Sequence, residues 1–232
     1  MPSEQEIYQK YAEQYERLIQ REDYQHRILR AIEQICPLNG LDVIDLGAGT
    51  GRLSRILAPK VNSVRAYDSS AHMLARAESC LHAMGLTNWK AGVADHRNVP
   101  AEDCSADLVV AGWSFCYLAV WGEDHWRAEL EAGYKEMLRT LRPGGTIILM
   151  ETLGTGEESP NPPQHLQDYF KWLAEKGFQK SWIRTDYRFR TLTEAAELSR
   201  FFFGETLGAE VAERKWIILP ECTGIWTLNK NA

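Results

Sequence analysis

Apolar and polar positions along the chain change period once, near residue 40. Before it, Ile7, Tyr11, Tyr15, Leu18 and Ile19 fall on one helical face, and Ser3 and Glu6 have capping-box spacing. A polar break at Arg21–Asp23 separates this run from a second one, Tyr24, Ile28, Ile32 and Ile35, which Pro37 stops. The spacing predicts helices over most of residues 3–35. From Leu41 onward, short apolar runs alternate with helical ones. LDVIDL, SVRAYD, WKAGVAD, ADLVVAGW and TIILMET read as strands. Helices are predicted from Leu53, over Ser70–Met84 with Gly85 behind it, and over Asp124–Thr140 ahead of the turn LRPGG. Such alternation predicts a parallel sheet covered by helices on both faces.

Two stretches depart from that rhythm. Residues 153–190 open on LGTGEESPNPP, a Gly/Pro-rich acidic loop. A helix is predicted next, over Pro163–Lys176, and then a strand in FQKSWIRTDYRF. The C-terminal VAERKWIILPECTGIWTLNK reads as a hairpin turning at Glu221–Gly224, which adds an antiparallel strand to the sheet. The expected organisation is therefore a helical cover (1–40), a core (41–152 and 191–232) and a small α/β lid inserted at 153–190. The lid's aromatic residues, Tyr169, Trp172, Trp182 and Tyr187, together with Tyr117 and Trp121 after the fourth strand, are the expected substrate-binding set.

Composition narrows the class. The chain has 232 residues, 44% hydrophobic and 25% charged, which is ordinary for a soluble globule. No apolar run reaches the roughly 18 residues of a membrane helix, and MPSEQEIYQK has no signal-peptide core, so a cytoplasmic protein with no membrane association is expected. A net charge of -6 disfavours nucleic acid as partner. Five cysteines with no CxxC pair read as reduced thiols, not as disulfides or a zinc site.

The chemistry concentrates in VIDLGAGTGRLSRILAP. Gly47, Gly49 and Gly51 allow a sharp turn and let backbone N–H groups approach a ligand. The spacing is GxGxG and not the GxGxxG of a dinucleotide site, and no Gly-Lys-Ser/Thr makes it a phosphate loop. Asp45 ahead of the loop would repel a pyrophosphate but suits an ammonium group. Asp68, at the tip of the second strand, is placed to accept ribose hydroxyls, with capping of the next helix as the lesser alternative. Asp95 after the third strand either accepts an adenine amino group or forms a turn.

In that order, VIDLGAGTG, AYDSS, ADHRNVP, ADLVVAGWSF and LRPGGTIIL resemble the class I S-adenosylmethionine-dependent methyltransferases over residues 41–152. The resemblance implies a Rossmann-like α/β sheet of about seven strands with the last one reversed. It implies S-adenosylmethionine as cofactor, with Asp45, Gly47 and Ala48 at its methionine part and Gly49 and Gly51 along the loop. Asp68 would hold the ribose, Ser69 and Met73 would flank the adenosine, and Asp95 and His96 would meet the adenine. Tyr15, on the covering helix, and Trp113, through a cation–π contact, would approach the methionine end and the sulfonium. Methyl transfer is an in-line displacement that needs orientation, a dry site and sometimes a base. His125, Glu151 and His165 are the candidate bases. The expected acceptor is a small apolar or aromatic molecule, acted on by a monomer or homodimer. A tRNA or protein acceptor and a non-catalytic cofactor-binding relative are the alternatives.

Overall fold

The computed structural model describes residues 4–231; the capping residue Ser3 lies outside them. The N-terminal segment forms three helices: α1 (Glu4–Lys10), α2 (Ala12–Ile19) and α3 (Arg27–Ile35). The break before α3 has a local cause, because the Asp23 carboxylate accepts the Arg27 and Ile28 N–H groups at 2.7 and 3.1 Å and caps the helix.

From there, β1 (Asp42–Leu46), α4 (Arg52–Leu57), β2 (Ser63–Asp68), α5 (Ala71–Ala83), β3 (Trp89–Val93) and β4 (Ala106–Gly112) follow the predicted alternation. A short α6 (Tyr117–Val120) and α7 (Trp126–Thr140) lead into β5 (Leu141–Thr155). Next come α8 (Gln167–Glu175), β6 (Gln179–Arg184), β7 (Tyr187–Arg188), α9 (Leu192–Phe203), α10 (Glu205–Glu213), β8 (Ile218–Leu219) and β9 (Glu221–Asn229).

Seven strands make one sheet in the order β3-β2-β1-β4-β5-β9-β6. β1, β2, β3, β4 and β5 are parallel, and β9 alone runs against its neighbours β5 and β6. This is the doubly wound, Rossmann-like architecture expected, with its reversed last strand. The central strands are buried on both faces, which is why they lack a polar side. In β4 and β5, Val109, Ala111, Ile147 and Leu149 face one core with Leu130, Met137 and Trp172, while Leu108, Val110, Ile148 and Met150 face the other with Ile28, Ile32 and Leu57. Among the described residues, no helix is long and apolar enough to cross a membrane.

Three expectations need correction. Residues 153–190 are not a lid: α8 buries Tyr169, Trp172 and Leu173 in the main core, and β6 is the sheet's edge strand, paired with β9 from Gln179 to Arg184. The C-terminal hairpin does not form either, since Glu221–Asn229 is a single strand and β8 pairs instead with β7. Nor is all of 1–40 a cover, because α3 packs beneath the sheet through Ile28 and Ile32. The real addition to the sheet lies between β6 and β9, where β7, α9, α10 and β8 gather their own core of Tyr187, Phe189, Leu198, Val211 and Leu219. Leu18 of α2 enters that core, Tyr11 and Tyr15 meet Phe201 and Phe202 edge-on, and Arg21 pairs with Glu194 at 2.9 Å. That unit therefore braces α2.

Candidate active site

One cavity of about 630 Å³ opens beyond the carboxyl ends of β1, β2 and β4, where an open α/β sheet takes its ligands. Its floor is the loop between β1 and α4. Gly47 has φ +68°, and a Cβ there would come within 2.4 Å of Ser114, so only glycine lets β1 and the end of β4 close at this point. Gly51, at φ +82°, faces away from the cavity: its Cβ would lie 3.0 Å from Ala77 of α5. Gly51 thus serves helix packing and not the ligand, a correction to its expected role.

Asp68 ends β2 and is held rigidly. Its Oδ2 accepts the Gly49 N–H at 2.8 Å and its Oδ1 the Ser70 N–H at 2.8 Å, so it holds the loop and the turn into α5. The cap of that helix is Ser70, whose hydroxyl accepts the Met73 N–H at 3.3 Å. Each Asp68 oxygen has acceptor capacity beyond these bonds, and Asp68 lines the cavity. Burial raises its pKa above the ordinary carboxylate value. Asp45 lines the cavity too, and burial pushes it up to about 6, against the pull of the Ser54 hydroxyl and N–H bonded to its Oδ2 at 2.6 and 2.9 Å. These residues fit a nucleoside carrying an ammonium group: a floor with no room for a Cβ at Gly47, a pinned carboxylate at Asp68 able to accept ribose hydroxyls, and a buried acid at Asp45.

The remaining walls sort the predicted residues. Tyr15, Ala48, Gly49, Ser69, Asp95, His96 and Trp113 line the cavity, as do Tyr117, Trp121 and His125. Met73 does not; it is buried beneath the loop, with its Cε 3.6 Å from where a Gly49 Cβ would stand. Both Asp95 oxygens are engaged by Arg97 at 2.6 Å, and that hydrogen bonding holds its pKa below the usual range. Burial depresses His96 to about 4, so its imidazole is neutral, and its Nδ1 is buried with no hydrogen-bond partner among the described residues. Trp113 adopts φ +51°, rare for a bulky residue, and its indole already has a cation over it, the Arg52 guanidinium at 4.0 Å.

Of the candidate bases, only His125 faces the cavity, at its exposed rim. His165 is exposed on the turn before α8, outside the cavity walls. Glu151 sits behind them, where its Oε1 accepts the Cys116 N–H at 3.0 Å and the Tyr169 hydroxyl at 3.1 Å. Burial raises it from 4.5 to about 7. An unfolded glutamate releases its proton earlier, so the native state binds more protons between those values. Glu151's contribution to stability should therefore be lost as pH rises through that window, by on the order of 3 kcal/mol. Glu151→Gln should make the slope of stability against pH shallower in urea melts from pH 5 to 8, leaving the part that Asp45, raised by burial to about 6, and Glu221, raised by burial to about 8, contribute. An unchanged slope would place the titration outside Glu151.

The expected substrate set divides in the same way. Tyr117 and Trp121 stack at 4.3 Å in the cavity wall. Tyr169, Trp172 and Tyr187 are core residues, and Trp182 is exposed on edge strand β6; none of the four lines the cavity. Residues not anticipated include Tyr8, whose hydroxyl meets that of Tyr117 at 2.8 Å and ties α1 to α6, and Arg52. Tyr8 lies two helical turns ahead of Tyr15, a spacing that identifies it in retrospect. Arg52 is a cation at a helix N-terminus, where the dipole disfavours it, and that local misfit is its signal.

Comparison with known proteins agrees with this geometry. A family model described as a methyltransferase domain matches residues 43–145. A malonyl-[acyl-carrier protein] O-methyltransferase from a Marinomonas species is 35% identical over 139 residues, 58% of this chain and 46% of that protein. A demethylmenaquinone methyltransferase from Desulfitobacterium hafniense is 27% identical over 150 residues, 62% of this chain and 52% of that protein. The YcgJ protein of Bacillus subtilis shares the fold, with a TM-score of 0.62 at 13% identity over 89% of this chain and 99% of that one. Residues 43–145 belong to that methyltransferase-domain family, and the chain as a whole has the class I S-adenosylmethionine-dependent methyltransferase fold. Its matched region spans about half the length of the two curated relatives.

Proposed function

We propose that this chain transfers the methyl group of S-adenosylmethionine to a small organic acceptor of apolar or aromatic character. The observation that carries the reading is the continuity of the cavity, from Asp68 and the glycine loop at one end to Tyr117, Trp121 and His125 at the other. When bound, the cofactor supplies a methyl group already activated for in-line displacement. The chain's own residues hold, orient and dry the site. Asp68 and the Gly47–Gly49 backbone fix the nucleoside end. The stacked Tyr117–Trp121 pair offers an aromatic face to the acceptor. The Tyr8–Tyr117 hydrogen bond draws α1 over the opening and keeps water out. His125 is placed to take a proton from an acceptor hydroxyl or amine. Five cysteines without a CxxC pair support a cytoplasmic setting.

S-adenosylhomocysteine at about 100 times its Kd should stabilise the protein by roughly 2.7 kcal/mol in a thermal melt, with no comparable effect of NAD or ATP. A shift produced by NAD alone would sink the cofactor assignment. The acceptor class is tested by incubating the enzyme with methyl-labelled cofactor and cell extract, then separating small molecules from macromolecules. Label found only in the macromolecular fraction would replace this reading with a tRNA or protein methyltransferase, and no label in either would support a non-catalytic relative.

A further inference from the structure

Arg52 is the first residue of α4, directly after the glycine loop, and its side chain is only 12% exposed. Nothing in helix formation calls for it, since a cation at a helix N-terminus opposes the dipole and a buried guanidinium is expensive to desolvate. Yet it is fixed from two sides. Nη1 donates to the Glu22 carboxylate at 2.7 Å, and the guanidinium lies over the Trp113 indole at 4.0 Å. Glu22 is itself held, through a 3.1 Å hydrogen bond from the Thr185 hydroxyl, so the arginine cannot swing out to solvent without breaking a buried network. The other terminal nitrogen, Nη2, is buried and has no hydrogen-bond partner among the described residues. A rigid, charged donor in a cavity wall with one N–H face unmatched is a site for an anion.

Its place in the sheet says which anion. Asp68 ends β2 and Trp113 follows β4, with β1 and the glycine loop between them. With the ribose at Asp68, a ligand crossing the loop presents its far end to Arg52, and the acid suited to its ammonium group, Asp45, lines the cavity along the way. We infer that Arg52, pinned by Glu22 and Trp113, holds the α-carboxylate of the cofactor's amino-acid end and makes that carboxylate a requirement for tight binding. This rests on the cofactor reading above.

The test compares two ligands by isothermal titration calorimetry, with no acceptor present. One is S-adenosylhomocysteine, and the other is S-adenosyl-3-thiopropylamine, which differs by loss of the carboxylate. The wild-type protein should prefer the first by roughly ten- to a hundredfold, the span of one charge-assisted hydrogen-bonded pair. Arg52→Gln should reduce that preference to within about threefold by weakening only the carboxylate-bearing ligand, and Arg52→Lys should restore part of it. Equal affinities in the wild type, or a preference that survives Arg52→Gln, overturns the inference. If Arg52→Gln does not fold, Arg52→Lys makes the comparison, with a preference equal to the wild type's overturning the inference. Failure of the folded wild type to bind either ligand would overturn the cofactor reading as well, so the two failures are distinct.

Discussion

Asp68→Ala is expected to weaken S-adenosylhomocysteine binding by at least tenfold, and by about a thousandfold if both ribose hydroxyls are held. Each charge-assisted hydrogen bond contributes roughly 1.5–3 kcal/mol, and about 1.4 kcal/mol is a factor of ten. The substitution also frees the Gly49 and Ser70 N–H groups that the carboxylate now holds at 2.8 Å, so the loop loses its anchor along with its ligand contact. Asp68→Asn separates the two effects. Its amide oxygen still accepts one of those N–H groups, so it should bind more tightly than the alanine variant and more weakly than wild type. Calorimetry on protein shown to be folded by circular dichroism makes the measurement. An affinity unchanged in Asp68→Ala would mean that the ribose lies elsewhere in the cavity.

Trp172→Ala should act on stability and leave the cofactor site alone. The indole is 3% exposed and packs against Phe115 and Tyr134, with ring centroids 6.3 and 5.8 Å away. Truncating a buried tryptophan costs about 3–5 kcal/mol, because the cavity left behind closes only in part. For a domain of this size the melting temperature should drop by on the order of 10 °C. Measured well below that temperature, the cofactor Kd should stay within a factor of about three, as expected for a side chain outside the cavity. Normal stability combined with a raised acceptor KM would return α8 to the role of a substrate-binding lid.

What the sequence determined by itself was the part of the site made by neighbours along the chain. The glycine loop, the acid at the tip of β2 and the buried central strands depend on backbone conformation and on two-faced burial, and both leave a mark within ten or so residues. Asp45, Gly47 and Asp68 were legible for that reason, as was the alternation that implies a doubly wound sheet. Tertiary structure alone decided which surface each remaining element buries. The apolar face of α8 shows that the helix is packed, but the pattern would be the same under a lid or in a core. Only the pairing of Gln179–Arg184 with Cys222–Thr227, far along the chain, makes β6 the sheet's edge, and only the core that α8 shares with Phe115 and Tyr134 buries that helix. The aromatics followed: Tyr169 and Trp172 went to the core, while Tyr8 and Tyr117 met across 109 positions in the cavity wall. Arg52 likewise depends on Glu22 and Trp113, partners from opposite sides of the sequence. Long-range pairing is chosen by the fit of whole faces, and no local pattern of apolar and polar residues encodes which faces will meet.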